Sequence, residues 1–297
     1  MAEQVHRDFL EANVLSRLAG LPLNARHPML GNVTGRHRSP VRGSSLEFAE
    51  YRKYVPGDDL RRMDWRAWGR SDRYYIKETE ADTNLRMCLI LDTSGSMRFG
   101  KTGQTKLDYA RRIAGTLAYL AARQGDAVGL YGVNNKLHTE IPAKRGSAHL
   151  KVVLDSMAAL NASEGTSLDT VLHEAAEKIP RRGLILIFSD LFMETNTLSD
   201  CFQHLRFRKH DVGVFHLLSP QEVKLEPSRP IRFVDLEGGP AILADPATLA
   251  AQYQQAVDTY LEELRVIMRD AAVDYHRVNV EDPYADVLAR FLLRRAK

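Results

Sequence analysis

Cysteine is scarce in this chain: only Cys88 and Cys201 occur in 297 residues. They form no CxxC pair and are too few for a disulfide framework, which fits a reducing compartment. Long apolar runs are missing too, since none approaches the ~18 residues needed to cross a bilayer. At the N-terminus His6, Arg7, Asp8 and Glu11 interrupt the apolar positions, so the apolar centre of a secretion signal is lacking. The expectation is a cytoplasmic protein with no transmembrane segment. Nor is there an excess of charge of one sign. With 41 Lys/Arg against 38 Asp/Glu the net charge is +3, too small to imply a nucleic-acid partner for the whole chain. The ten histidines show no ligand spacing. His173-Glu174-Ala175-Ala176-Glu177 lacks the second histidine of a zinc-protease helix. No G-x-S-x-G surrounds Ser94, because Asp92 stands at the first glycine position.

What is present is a chain of ordinary globular composition, 44% apolar and 27% charged, long enough for one large domain or two modest ones. Residues 1–84 contain a short amphipathic helix (Phe9, Val14, Leu15, Leu18) and then a loop-rich stretch with an exposed strand over Arg73–Glu80. They hold too few apolar residues for a core of their own and read as a lead-in packed on the main domain. Between Arg26 and Lys77, twelve Lys/Arg face six Asp/Glu, either a solvated charged surface or a patch for an acidic partner.

From residue 85 to 297 strands and helices alternate. Arg86–Leu91 and Gly183–Ser189 are apolar enough to be strands covered on both faces. Helical spacing runs over Lys106–Arg123, around 147–160 and 168–179, and over Thr197–Arg208. Asn134-Asn135, between Asp126–Val133 and Lys136–Ile141, signals a hairpin and hence one antiparallel edge strand. Val212–Leu218, Ile231–Leu236 and Val273–Val278 read as further strands. Asp245-Pro246 caps a long helix to about Asp270, and Pro283–Arg294 is the closing helix. The fold expected is α/β, a doubly wound and mostly parallel sheet with one antiparallel edge strand.

The informative chemistry stands where the first buried strand ends, at Asp92-Thr93-Ser94-Gly95-Ser96-Met97. In an extended backbone alternate side chains point the same way, so Asp92, Ser94 and Ser96 are expected to converge. Their oxygens suit a hard divalent cation such as Mg²⁺, with Mn²⁺ or Ca²⁺ as alternatives. Ligands of open α/β sheets also lie outside the carboxyl ends of the strands. Thr166, before a helix, and Asp190, at the end of the second buried strand, can complete the set. This pattern, Asp-x-Ser-x-Ser followed by a Thr and an Asp, resembles the metal-ion-dependent adhesion site of the von Willebrand factor A family. The resemblance implies a non-enzymatic module whose bound metal is completed by an acidic residue of a protein partner.

A second motif overlaps the first. Gly95-Ser-Met-Arg-Phe-Gly100-Lys101-Thr102 satisfies GxxxxGK[ST] after a strand and before a helix. The alternative reading is therefore a P-loop nucleotide-binding ATPase that uses residues 95–102. Against it, the motif leaves Asp92 unexplained, and Gly103 stands where the phosphate-cradling helix should begin.

Upstream, residues 47–65 are dense in arginines, acids and aromatics, as an ion-pair network or a recognition surface would be, with Trp65 and Trp68 as anchors. Gly43, Glu47-Phe48, Arg52-x-Tyr54-x-x-Gly57-Asp58-Asp59, Arg61 and Asp64-Trp65, followed by Asp92-x-Ser94-x-Ser96-Met97, resemble the bacterial domain of unknown function 58 family. The resemblance covers about residues 35–200 and implies a von Willebrand A-like domain after the signature. It also implies partnership with MoxR-type AAA+ ATPases in chaperone-like maturation of other proteins. A third reading keeps the adaptor role and makes the 47–68 segment the contact surface.

Overall fold

The structure is a computed structural model. It describes residues 8–26, 47–53, 63, 69, 74–80, 85–101, 103–163, 168–179, 182–225, 231–233, 236, 242–244 and 246–296. The chain divides into two compact units, one formed by residues 1–24 with 86–297 and the other by residues 25–85. The expected boundary lay between residues 84 and 85; in this division residues 1–24 group with the large unit. In the smaller unit, Glu47–Lys53 and Tyr75–Glu80 pair as antiparallel strands. The segment rich in arginine and aromatics thus begins as a strand. Trp65 and Trp68 lie outside the described residues.

The large unit is built on a sheet of six strands: β1 (Arg86–Asp92), β2 (Ala127–Val133), β3 (Leu137–Lys144), β4 (Leu184–Ser189), β5 (Asp211–Leu218) and β6 (Asp274–Asn279). Their order is β6-β5-β4-β1-β2-β3, all parallel except β3, which pairs antiparallel with β2. β1, β2, β4 and β5 are almost wholly buried, as their near-continuous apolar sequences require of strands covered on both faces. In β3 half-buried and exposed residues alternate along the whole strand, the pattern of an edge. Its Pro142 sits at a register shift facing Gly129 of β2. A Cβ on Gly129 would lie 2.7 Å from the carbonyl oxygen of Ile141, so the bulge needs a glycine there.

Helices cover both faces. α1 (Ala12–Leu18), α2 (Lys106–Arg123), α3 (Ser147–Ala159) and α7 (Tyr284–Arg295) pack on one side. α4 (Leu168–Lys178), α5 (Thr195–Phe207) and α6 (Pro246–Asp270) cover the other, where Ile90, Ile187 and Val214 meet Leu172, Phe202 and Leu264. Thr105 caps α2 through a reciprocal bond with Asp108. Among the described residues, no helix is long and apolar enough to cross a membrane. After β1 the chain builds β2 and β3 on one side, then crosses to build β4, β5 and β6 on the other. The carboxyl ends of β1 and β4 therefore flank the topological switch point, where such sheets bind ligands.

One buried group gives the fold a pH dependence. His210, at the entry to β5, has neither ring nitrogen hydrogen-bonded among the described residues. Burial first, then Arg208 and His204, pull its pKa down to about 4. The unfolded chain binds a proton near pH 6.5 that the folded chain refuses until about pH 4, so stability falls as the pH drops through that window. Urea titrations at pH 7 and pH 4.5 should show a smaller loss in His210→Leu than in the wild type. Equal losses would remove His210 from the account.

Candidate metal centre

β1 ends at Asp92, and its register with β4, Leu91 opposite Phe188, sets Asp92 beside Ser189. The Ser189 hydroxyl donates to Asp92 Oδ2 at 2.6 Å, and the Ser94 backbone N–H donates to Oδ1 at 2.9 Å. Ser94 is still extended, but Gly95–Arg98 winds into one 3₁₀ turn, anchored by the fully buried Met97. Turn and strand together, and not the extended backbone expected from the sequence, bring the Ser94 and Ser96 hydroxyls within 3.0 Å of each other. Neighbouring loops hold the turn. Thr93 donates N–H and hydroxyl to the Val133 carbonyl and accepts, through its own carbonyl, the Ser163 N–H.

Asp190 follows β4 directly, on the same sheet edge as Asp92, and both are buried. Its Oδ2 accepts from Lys106 Nζ at 2.5 Å, and the same ammonium donates to Glu222 at 2.6 Å. Lys106, the first residue of α2, has no exposed side-chain surface. Burial acts to lower its pKa, but the Coulombic pull of Asp190 and Glu222 outweighs it and raises the value. Among the described residues no ammonium donates to Asp92, which accepts from Ser94 and Ser189. Burial and the nearby Asp190 push it up to about 6 against the bonds from Ser189 and Ser94. Leu191, next in sequence, takes a left-handed backbone with φ of 54°. Ser189 Oγ accepts its N–H at 2.9 Å, and its carbonyl accepts the Tyr260 hydroxyl. A branched residue in that conformation is strained, and such strain concentrates at functional turns.

The structure thus brings Asp92, Ser94, Ser96 and Asp190 to one end of the sheet. Thr166 lies outside the described residues. Ser189, Lys106 and Glu222 were missed by sequence reasoning. Ser189 could have been found from its place just before Asp190. Lys106 carries no signal, since a lysine opening a helix ordinarily faces water. Among the described residues, no group of three or more His, Cys, Asp and Glu is placed to hold a metal. The donor set is instead a carboxylate and two hydroxyls, all hard oxygens, beside a second carboxylate. It fits an ion of Mg²⁺ type that keeps water ligands.

The residues of the phosphate-loop pattern fold otherwise. Gly100–Lys101 pairs antiparallel with Gln104–Thr105, and α2 begins only at Lys106. Lys101 is exposed on that small hairpin and does not sit at a helix N-terminus.

The family model described as "Protein of unknown function DUF58" matches residues 50–261, well over half of the chain. The chain belongs to this family. Uncharacterized proteins of Mycobacterium bovis and Mycobacterium tuberculosis are 29% identical to it over 263 residues, 84% of this chain and 82% of theirs. Among solved structures it is similar to the conserved hypothetical protein BatB from Bacteroides thetaiotaomicron, with 18% identity and a TM-score of 0.48 over 72% of this chain and 99% of that one. An aerotolerance-related membrane protein from Bacteroides fragilis is similar at 17% identity and a TM-score of 0.45, covering 71% of this chain and 100% of that one. Within the DUF58 match lie both the Asp92–Ser96 turn and Asp190.

Proposed function

We propose that this DUF58 protein is a non-enzymatic interaction module that holds a divalent cation at the β1/β4 switch point and docks an acidic side chain of a protein partner there. The observation that carries the reading is the convergence of the Ser94 and Ser96 hydroxyls beside Asp92, a buried carboxylate that accepts from no ammonium among the described residues. Asp92, Ser94 and Ser96 would hold the ion, with Asp190 acting through water and Thr166 assigned by sequence alone. When bound, the ion supplies positive charge to an incoming carboxylate. The von Willebrand A-like pattern supports this use of the residues. A cleft of about 1080 Å³, lined in part by Arg98, Phe99 and Tyr109, opens beyond the turn and leaves room for a partner segment. As the partner we propose a MoxR-type AAA+ ATPase or its client, in chaperone-like protein maturation.

Thermal melts with added Mg²⁺ test the site. A ligand at a hundredfold its Kd stabilises the native state by about 2.7 kcal/mol. Mg²⁺ should raise the wild-type midpoint and leave that of Asp92→Asn unchanged, and EDTA should release the captured partner in a pull-down. Partner binding that is the same with and without metal would overturn the reading.

A further inference from the structure

The two edges of the sheet differ in how they are finished. β3 is blunted by Pro142, by a bulge and by exposed charged residues, the usual devices that prevent another strand from adding. β6 lacks the proline and the bulge, and its exposed charge is the single Arg277. It is six residues long, contains no proline, and pairs in regular register with β5 on one side only. Among the described residues no strand pairs with its other side. A groove of about 750 Å³ runs along that side, with β6 as its floor and with α6 and α7, from opposite faces of the sheet, as its walls.

The walls are basic. Arg277 projects from the floor, Arg290 and Arg294 from α7, and Arg265 from α6. Of these only Arg265 is committed, to Glu262 three residues before it. Arg277, Arg290 and Arg294 are exposed and pair with no carboxylate among the described residues. The acids that line the groove are Glu262, already paired, and Asp258, which accepts from Gln254.

We propose that this groove is a second docking surface, independent of the metal centre, and that it takes an extended acidic peptide segment of a partner as a seventh strand beside β6. The outer side of β6, beside which no described strand pairs, offers main-chain pairing that only a polypeptide can meet, and Arg277, Arg290 and Arg294 select acidic side chains. The 1.4 kcal/mol of a tenfold change in affinity is within reach of such desolvated contacts.

The test uses the full chain and a fluorescein-labelled decapeptide of alternating Glu and Val. Three comparison probes go with it: the same peptide N-methylated on alternate residues, a Lys–Val peptide, and a ten-nucleotide DNA strand. Fluorescence anisotropy should show saturable binding of the Glu–Val peptide alone. Affinity should fall at least about tenfold in Arg277→Glu/Arg294→Glu, whose exposed positions leave folding intact. Hydrogen exchange at residues 274–279 should slow on binding. The proposal is overturned if the Glu–Val peptide fails to bind, if the N-methylated peptide or the DNA strand binds as tightly, or if exchange at β6 does not change. Chelation of metal should leave the binding unaltered, so this result and that of the metal centre are read separately.

Discussion

Replacing Arg295 with methionine should destabilise the protein by about 3–5 kcal/mol, the cost of breaking a buried charge pair by removing one partner. The guanidinium side chain is fully buried in the last turn of α7. It reaches Asp211 at 2.8 and 3.3 Å and Asp274 at 3.1 Å. Those carboxylates stand at the starts of β5 and β6, at the end of the sheet opposite the metal centre. Arg295 also donates to the Asn24 carbonyl at 3.2 Å, which ties the N-terminal segment to the closing helix. Methionine fills much of the volume but leaves Asp211 and Asp274 buried without the guanidinium they share. Urea titration measures the loss. Arg17→Ala, which breaks the exposed pair with Asp286, should cost no more than about 1 kcal/mol in the same assay. Adding Asp211→Asn and Asp274→Asn to Arg295→Met should recover part of the stability, because the three groups act as one network. A loss below about 1 kcal/mol for Arg295→Met would show that water or rearrangement compensates the carboxylates, against the buried-pair expectation.

Lys106→Met should show a loss of similar size, about 3–5 kcal/mol by the same argument, with a different signature. Lys106 is the ammonium that neutralises Asp190 and Glu222, and removing it leaves three acids, Asp92 among them, around one end of the sheet. If a divalent cation binds at Asp92, Mg²⁺ should restore more stability to Lys106→Met than it adds to the wild type, because the charge it offsets is larger. Melts with and without Mg²⁺ decide the point. A variant as destabilised as expected but indifferent to metal would keep the structural role of Lys106 and remove the ion from Asp92 and Asp190. In the wild type two of the three acids, Asp190 and Glu222, share a counter-ion supplied by α2.

Much of this architecture is legible in the residues themselves. The unbroken apolar runs of Arg86–Leu91 and Gly183–Ser189 announce strands covered on both faces, because only such strands can dispense with a polar side. Lys106–Arg123 was bounded by its helical periodicity, and the alternation that makes β3 an edge appears in its sequence too. Boundaries moved where local signals are weak. The Thr197–Arg208 helix begins at Thr195, and the strand over Ile231–Leu236 is Ile231–Phe233, paired with Ile242–Ala244 in a hairpin with no sequence signal. Asp92, Ser94, Ser96 and Asp190 could be singled out because their spacing after apolar runs is itself local information.

What surrounds them was decided elsewhere. The sequence by itself determined which residues are strands and helices, which faces are apolar, and that oxygens cluster after β1. Only the tertiary structure decided that a 3₁₀ turn brings the serines together and that Ser189 reaches across from β4. It alone places Lys106 between acids 84 and 116 residues away in the chain. Periodicity reports whether a side chain faces the core. It carries no record of which charge waits there, because that depends on how layers distant in sequence come to be stacked.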